Sequence, residues 1–305
     1  MSHAVSRPLL SHTTWLYACL SMMALLWGGT FVAGRMVAAE LPPLVAATAR
    51  FGLAALLLLW LVRKEEGGLP RISWHQGGLM ALLGLSGVCL YNLFFFAALT
   101  EMPASRTALF VAFNPMAVAL IAAITARRML PLPQIVGIGV ALFGTVVVIT
   151  GGDIAGMLGD IHSSFGRGEV FMLAAVGSWV GYTLLGRKAL GSISPLATTT
   201  WAALFGFVFL ALGLLFTGPT QPLHMPTLNC ALAILYLAVG GTVVPFVWFY
   251  RGVRELGPER AAVFTNLVPV FGVGLGAAVL HEPIEAAMLA GGALVIAGVF
   301  LTNRK

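Results

Sequence analysis

Apolar residues run along this chain in blocks of about 17 to 23, parted by short polar links, and blocks of that length suit a hydrocarbon core about 30 Å thick. The blocks are Trp15–Val37, Leu44–Val62, Gly78–Leu99, Ala104–Thr125, Gln134–Thr150, Val170–Leu190, Leu196–Phe216, Leu228–Tyr250, Arg260–Leu280 and Ala286–Leu301. The pattern predicts an all-α integral membrane protein with ten transmembrane helices. The first block is too long for a signal-peptide core and is expected to remain as the first span. The longest link, Gly151 to Gly168, is Gly-rich and has room for a short interfacial helix around Ile154–Ile161.

The blocks repeat. Trp27, Gly34, Arg35 and Pro43 recur as Trp179, Gly186, Arg187 and Pro195, each 152 residues later. Arg106, Pro115, Gly137 and Gly144 recur as Arg260, Pro269, Gly291 and Gly298 at an offset of 154. This divides the chain into a tail at 1–14, a five-helix repeat at 15–150, a linker at 151–168 and a second repeat at 169–302. Five is odd, so the second repeat enters the membrane from the opposite face. Placing the N-terminus inside puts thirteen of the 17 Lys and Arg residues in inner segments and leaves Arg35, Arg106 and Arg167 outside. The excess of inner positive charge predicts cytoplasmic termini and a periplasmic linker. Inverted repeats give a route to alternating access, because each half can adopt the other's conformation.

Composition narrows the classes. The chain is 59% hydrophobic and only 9% charged. Soluble domains carry about 25% charged residues, so lipid is the expected solvent. The net charge of +6 lies between apolar runs rather than along a basic stripe, which excludes nucleic acid as a partner. Cys19, Cys89 and Cys230 sit inside apolar runs without metal-ligand spacing and read as packing residues. No cofactor or metal is expected.

Ten spans in two such repeats resemble the EamA-type branch of the drug/metabolite transporter superfamily. The resemblance is carried by the Trp-Gly-Gly-Thr-Phe run at Trp27–Phe31, the helix starts at Pro103 and Pro258, the mid-helix Pro115 and Pro269, and the His-Glu-Pro turn at His281–Pro283. More narrowly the chain is similar to YddG-type exporters of aromatic and other amino acids. The resemblance implies a turn-capping role for Glu282, whose first-half counterpart is Arg128.

Polar side chains inside apolar spans tend to face a cavity or another helix. The candidates for substrate contact are Trp27, Thr30, Ser86, Tyr91, Asn92, Asn114, Ser178, Trp179, Tyr182, Thr242, Trp248 and Asn266. They place a central cavity among the first, third, fourth, sixth, eighth and ninth helices. The fifth and tenth helices carry glycine stripes at Gly137, Gly144, Gly291 and Gly298 that suit close helix packing, and are expected to support the cavity from outside. Gly177, Gly181, Gly272 and Gly276 read as further packing notches, and Tyr250 reads as part of an interfacial aromatic belt. Proline has no N–H for the carbonyl four residues back. Pro115, Pro245 and Pro269 would therefore release the carbonyls of Val111, Gly241 and Thr265, and are candidate hinges. Arg50 lies within a span and is expected to snorkel outward or to pair, with Glu40 and Glu101 as possible partners; the sharper alternative is that it holds a substrate carboxylate.

No Asp or Glu stands mid-span, so a proton relay lacks its usual groups. The chain reads as a monomeric, non-enzymatic inner-membrane carrier of small metabolites. The aromatic-rich cavity, read as having no deep fixed charge, fits a zwitterionic or apolar substrate, and the resemblance implies amino acids moved outward. Transport without obligatory proton coupling is expected. A proton-coupled antiporter, an intramembrane enzyme and a channel are the competing readings.

Overall fold

A computed structural model describes residues 12–125, 127, 129, 131–153, 166–219 and 225–302. The short helix expected around Ile154–Ile161 falls outside these residues. The chain forms α1 (His12–Ala38), α2 (Pro43–Glu66), α3 (Trp74–Glu101), α4 (Ala104–Thr125) and α5 (Leu132–Ile149). Then follow α6 (Arg167–Ala189), α7 (Pro195–Thr217), α8 (Leu228–Leu256), α9 (from Pro258–Val263 through a tight turn into Leu267–Leu280) and α10 (Ala286–Thr302). Among the described residues, eight helices are long and apolar enough to cross a membrane, and α5 and α10 contain shorter apolar segments. Several helices outrun the apolar blocks. α8 continues to Leu256 through Arg251, Arg254 and Glu255, because a helix does not end where its hydrophobicity does.

Local sequence sets the breaks. Pro43 starts α2, and Gly67, at φ 76°, ends it in the left-handed region that a Cβ would penalise. Two long helices are interrupted by π-type turns, Gly84–Leu90 in α3 and Val239–Val243 in α8. Two others tighten into 3₁₀ turns just before a proline: Phe110–Ala112 ahead of Pro115, and Phe264–Asn266 ahead of Pro269. The left-handed residues Arg127 (φ 49°) and His281 (φ 55°) stand at matching places after α4 and α9.

Packing crosses between the halves in matched pairs. α1 packs on α9 and α8, while α6 packs on α4 and α3; α2 packs on α7, and α5 on α10. The α5–α10 contact is glycine-mediated. A Cβ added at Gly144 would lie 2.6 Å from the Gly291 carbonyl oxygen, and one at Gly298 would lie 2.5 Å from that of Gly137. Gly272 is likewise a notch, against Ala108. Gly177 is not: a Cβ there would meet nothing within 4 Å, and at Gly181 only Ser86 at 3.9 Å, so that stripe faces open space. The bundle's outer surface carries Leu56, Trp60, Leu215, Phe216, Leu289 and Phe300, an apolar coat suited to lipid. Its interior is a main aromatic-rich core drawing on α1 to α4 and α6 to α9, beside a small second cluster of Val118, Val176, Val180 and Ala262.

Candidate functional site

The site is built around the break in α8. Pro245 cannot donate to Gly241, and the helix widens there into the π turn. The released carbonyl is used: Gly241 accepts from Trp27 Nε1 at 3.1 Å and from Arg50 Nη2 at 2.9 Å. Arg50 is buried rather than snorkelled. Its Nε donates to Thr242 Oγ1 at 3.0 Å and its Nη1 to Asn92 Oδ1 at 2.9 Å. The guanidinium also lies 5.3 Å from the centre of the Phe51 ring. Neither Glu40 nor Glu101 pairs with it. Glu40 accepts instead from the Thr227 N–H and hydroxyl. The partners are held in turn: Asn92 Nδ2 donates to the Val88 carbonyl and Thr242 to that of Leu237. A buried cation thus joins α2, α3 and α8 through neutral acceptors alone.

Beside this knot lies a narrow cavity of about 20 Å³, room for about one water. Its wall includes Trp27, Thr30, Tyr91, Asn114, Trp179 and Thr265, and draws on all six helices expected to enclose it. α2 adds Arg50, so the cavity does have a deep fixed charge, contrary to the sequence reading. Phe31, Phe95 and Phe246 complete the wall; an apolar wall residue has no sequence mark to set it apart from ordinary core. Trp27 and Trp179 meet edge to face at 5.2 Å between centroids, and Trp179 also contacts Tyr91 and Tyr182. Tyr182 stacks on Tyr250 at 4.8 Å. Tyr250 is fully buried, so it belongs to this cluster and not to an interfacial belt. Four buried polar atoms here lack a partner: Trp179 Nε1, Asn114 Oδ1, Tyr182 OH and Asn266 Oδ1.

Tyr182 and Asn266 stand outside the cavity wall, and three further predicted contacts lie elsewhere. Ser86 donates to the Leu82 carbonyl and Ser178 to that of Ala174, each one turn back on its own helix. Trp248 is half-buried against the core, away from the cavity wall. Pro115 and Pro269 follow the two 3₁₀ turns, and Val111 and Thr265 within those turns reach the cavity. Pro245 acts through Gly241, as above.

One end of the bundle is tied by ionic contacts. Arg106 pairs with Glu169 at 2.7 Å, and Glu169 also accepts from the Gly166 N–H. Glu282 accepts from the N–H groups of Ala104 and Ser105 at 3.0 and 2.9 Å. It therefore caps α4 of the other half, where a carboxylate also suits the helix dipole. Arg35 donates to the Leu99 carbonyl.

The profile of the EamA-like transporter family matches residues 14–150 and again 166–304. The chain belongs to the EamA-like transporter family. It is a membrane transporter and not an enzyme by family. This EamA-like transporter is 29% identical to an uncharacterized transporter, YyaM, of Bacillus subtilis (strain 168), over 94% of this chain and 93% of that one. It is 27% identical to a probable amino-acid metabolite efflux pump of Salmonella typhimurium (strain LT2), over 92% of each chain. A crystal structure at 19% identity superposes with a TM-score of 0.71 over 95% of this chain and 97% of the other, which shows a shared fold.

Proposed function

We propose that the protein is a monomeric inner-membrane exporter of aromatic and other neutral amino acids, or of similar small metabolites, working by alternating access. In this reading all ten helices span the bilayer as two inverted five-helix repeats, 15–150 and 169–302, with both termini cytoplasmic and the 151–168 linker periplasmic. The observation that carries it is a cavity at the seam of the halves, with a few polar groups set in an aromatic wall, lined from both by the paired Trp27 and Trp179. The double family match and the matched breaks in α3, α4, α8 and α9 support two equivalent moving parts. The amino-acid assignment draws on the efflux-pump relative. A cavity of this size holds no amino acid, so this conformation is read as a closed one that must open for transport.

Substrate is proposed to run down its own gradient. Glu40, Glu169 and Glu282, the acids best placed for coupling, are each engaged by donors. The test is uptake and counterflow in proteoliposomes with an amino-acid panel, with and without a pH difference. Saturable counterflow that the pH difference leaves unchanged is expected. Accumulation against the substrate gradient under an imposed pH difference would refute the facilitative mechanism. Trp27→Ala and Trp179→Ala should each shift substrate preference; parent-like transport in both would refute the site.

A further inference from the structure

Arg50 is a full positive charge in the apolar centre of the bundle, and among the described residues no carboxylate answers it. A buried cation is costly unless an anion and hydrogen bonds both compensate it. Here the hydrogen bonds exist and the anion does not. A guanidinium has five N–H groups, and the three bonds to Thr242, Asn92 and Gly241 use one on each nitrogen. One N–H on each terminal nitrogen is left over, and a carboxylate is the natural acceptor for them. Arg50 lines the cavity.

Two further atoms on that wall have no partner. Trp179 Nε1 is a buried donor without an acceptor, and Asn114 Oδ1 is a buried acceptor without a donor. Buried polar atoms are ordinarily satisfied, so each has a bond to offer to whatever occupies the cavity. Donors for an anion and an acceptor for a cation thus share one small space, and its remaining walls are largely aromatic.

We propose that the cavity recognises a zwitterion through Arg50: the substrate's carboxylate takes the spare N–H groups of Arg50 with help from Trp179 Nε1, and its ammonium group is taken by Asn114. The ligand class is an α-amino acid with an apolar or aromatic side chain. Arg50 is then a specificity-determining residue as well as a brace between helices. This rests on the reading of the cavity as the transport site.

The decisive experiment leaves the protein unmutated. Proteoliposomes containing the native chain are loaded for counterflow with L-phenylalanine, L-leucine or L-valine. Each is challenged with its carboxamide, which lacks the carboxylate, and with its des-amino acid, which lacks the ammonium. Both analogues should compete at least about ten-fold more weakly than the parent, the scale of a lost charged hydrogen bond. A carboxamide that competes as well as the parent overturns the role of Arg50. A des-amino acid that competes as well overturns the zwitterion assignment. If none of the three amino acids is carried, the transport reading fails and this inference falls with it; the first two outcomes leave that reading standing. Arg50→Lys keeps the charge and loses the fork. It should raise KM for the amino acid at least about ten-fold and narrow the gap between the amino acid and its carboxamide, a selectivity change that lost bracing alone would not produce, and an unchanged KM would also overturn the proposal.

Discussion

The two halves share their joints but differ in the chemistry placed at them. At the α1–α2 turn, Glu40 accepts from the Thr227 hydroxyl at 2.6 Å and from its N–H at 2.9 Å, where Thr227 caps the start of α8. At the matching α6–α7 turn, Ser192 accepts from Gln76 Nε2 at 3.2 Å, beside the capping box of Ser73 and Gln76 at the start of α3. Deeper in, a Cβ on Gly241 would strike Thr30 and one on Gly87 would strike Tyr182, so both π turns hold a glycine against the partner helix. Trp27, however, bonds to Gly241, while Trp179 Nε1 bonds to nothing. Arg50 occupies one half, and its counterpart in the other is the buried Ala202. The geometry is duplicated and the charge is not. In the proposed inverted arrangement, shared geometry keeps two conformations close in energy, and unequal chemistry lets a ligand act on one half differently from the other.

The largest contrast to break is Arg50 against Ala202. Arg50→Ala leaves Asn92 Oδ1 and Thr242 Oγ1 without their donor and takes one of two donors from Gly241. The expected loss is about 2–4 kcal/mol. Ala202→Gly removes one methyl from the matching helix and should cost about 1 kcal/mol. Thermal unfolding of the detergent-solubilised variants checks the ranking. Equal losses would mean that the knot at Gly241 does not hold the halves together.

Much of this asymmetry was hidden in the sequence, and the reasons are local. The repeat, the apolar runs and the α5–α10 glycine stripes are periodic, and periodicity is what a sequence displays. The release of the Gly241 carbonyl by Pro245 was legible because it depends on four consecutive helical residues. Its acceptance of Trp27 and Arg50 was not, since those lie 214 and 191 residues away. For the same reason the sequence offers Glu40 and Glu101 as possible partners for Arg50, whereas tertiary packing supplies Asn92 and Thr242. Ser86 and Ser178 misled because a helical serine can satisfy itself on its own backbone. Only the fold tells such a residue from one that faces a cavity. Asn92 and Thr242, read from sequence as candidates for substrate contact, are polar and buried, and in this conformation both accept from Arg50.

A finer cut separates the two tryptophans. Trp27→Phe and Trp179→Phe remove similar bulk from one aromatic cluster, so the packing losses should nearly cancel in the difference between them. Only Trp27 also gives up a hydrogen bond, to Gly241. Trp27→Phe should therefore be the less stable variant by about 0.5–1.5 kcal/mol. Trp179→Phe should instead weaken competition by carboxylate-bearing ligands with little further effect on unfolding. If Trp179→Phe proves the less stable, its indole N–H has a partner that this conformation lacks, and the asymmetry of the wall is smaller than it looks.

The smallest expected effect lies at the outermost joints, where only one of the two clasps titrates. The Thr227 hydroxyl, followed by its backbone N–H, holds the Glu40 carboxyl below its ordinary value, which is about 4.3. A group whose pKa falls on folding is protonated more readily in the unfolded chain. Its contribution is therefore complete above about pH 4.3 and is lost as pH drops through the lowered folded value. Glu40 is exposed, so water screens the bond and the effect is modest. The Ser192–Gln76 clasp has no ionisable group and should not respond. Unfolding temperatures of the parent, Glu40→Gln and Ser192→Ala, followed from about pH 6 down to about pH 3, resolve the two. The gap between the parent and Glu40→Gln should close with acid, whereas the gap to Ser192→Ala should persist. A Glu40→Gln gap that stays constant across this range would place the stabilisation in the shape of the turn rather than in its charge, and the two clasps would then be equivalent in chemistry as well as in position.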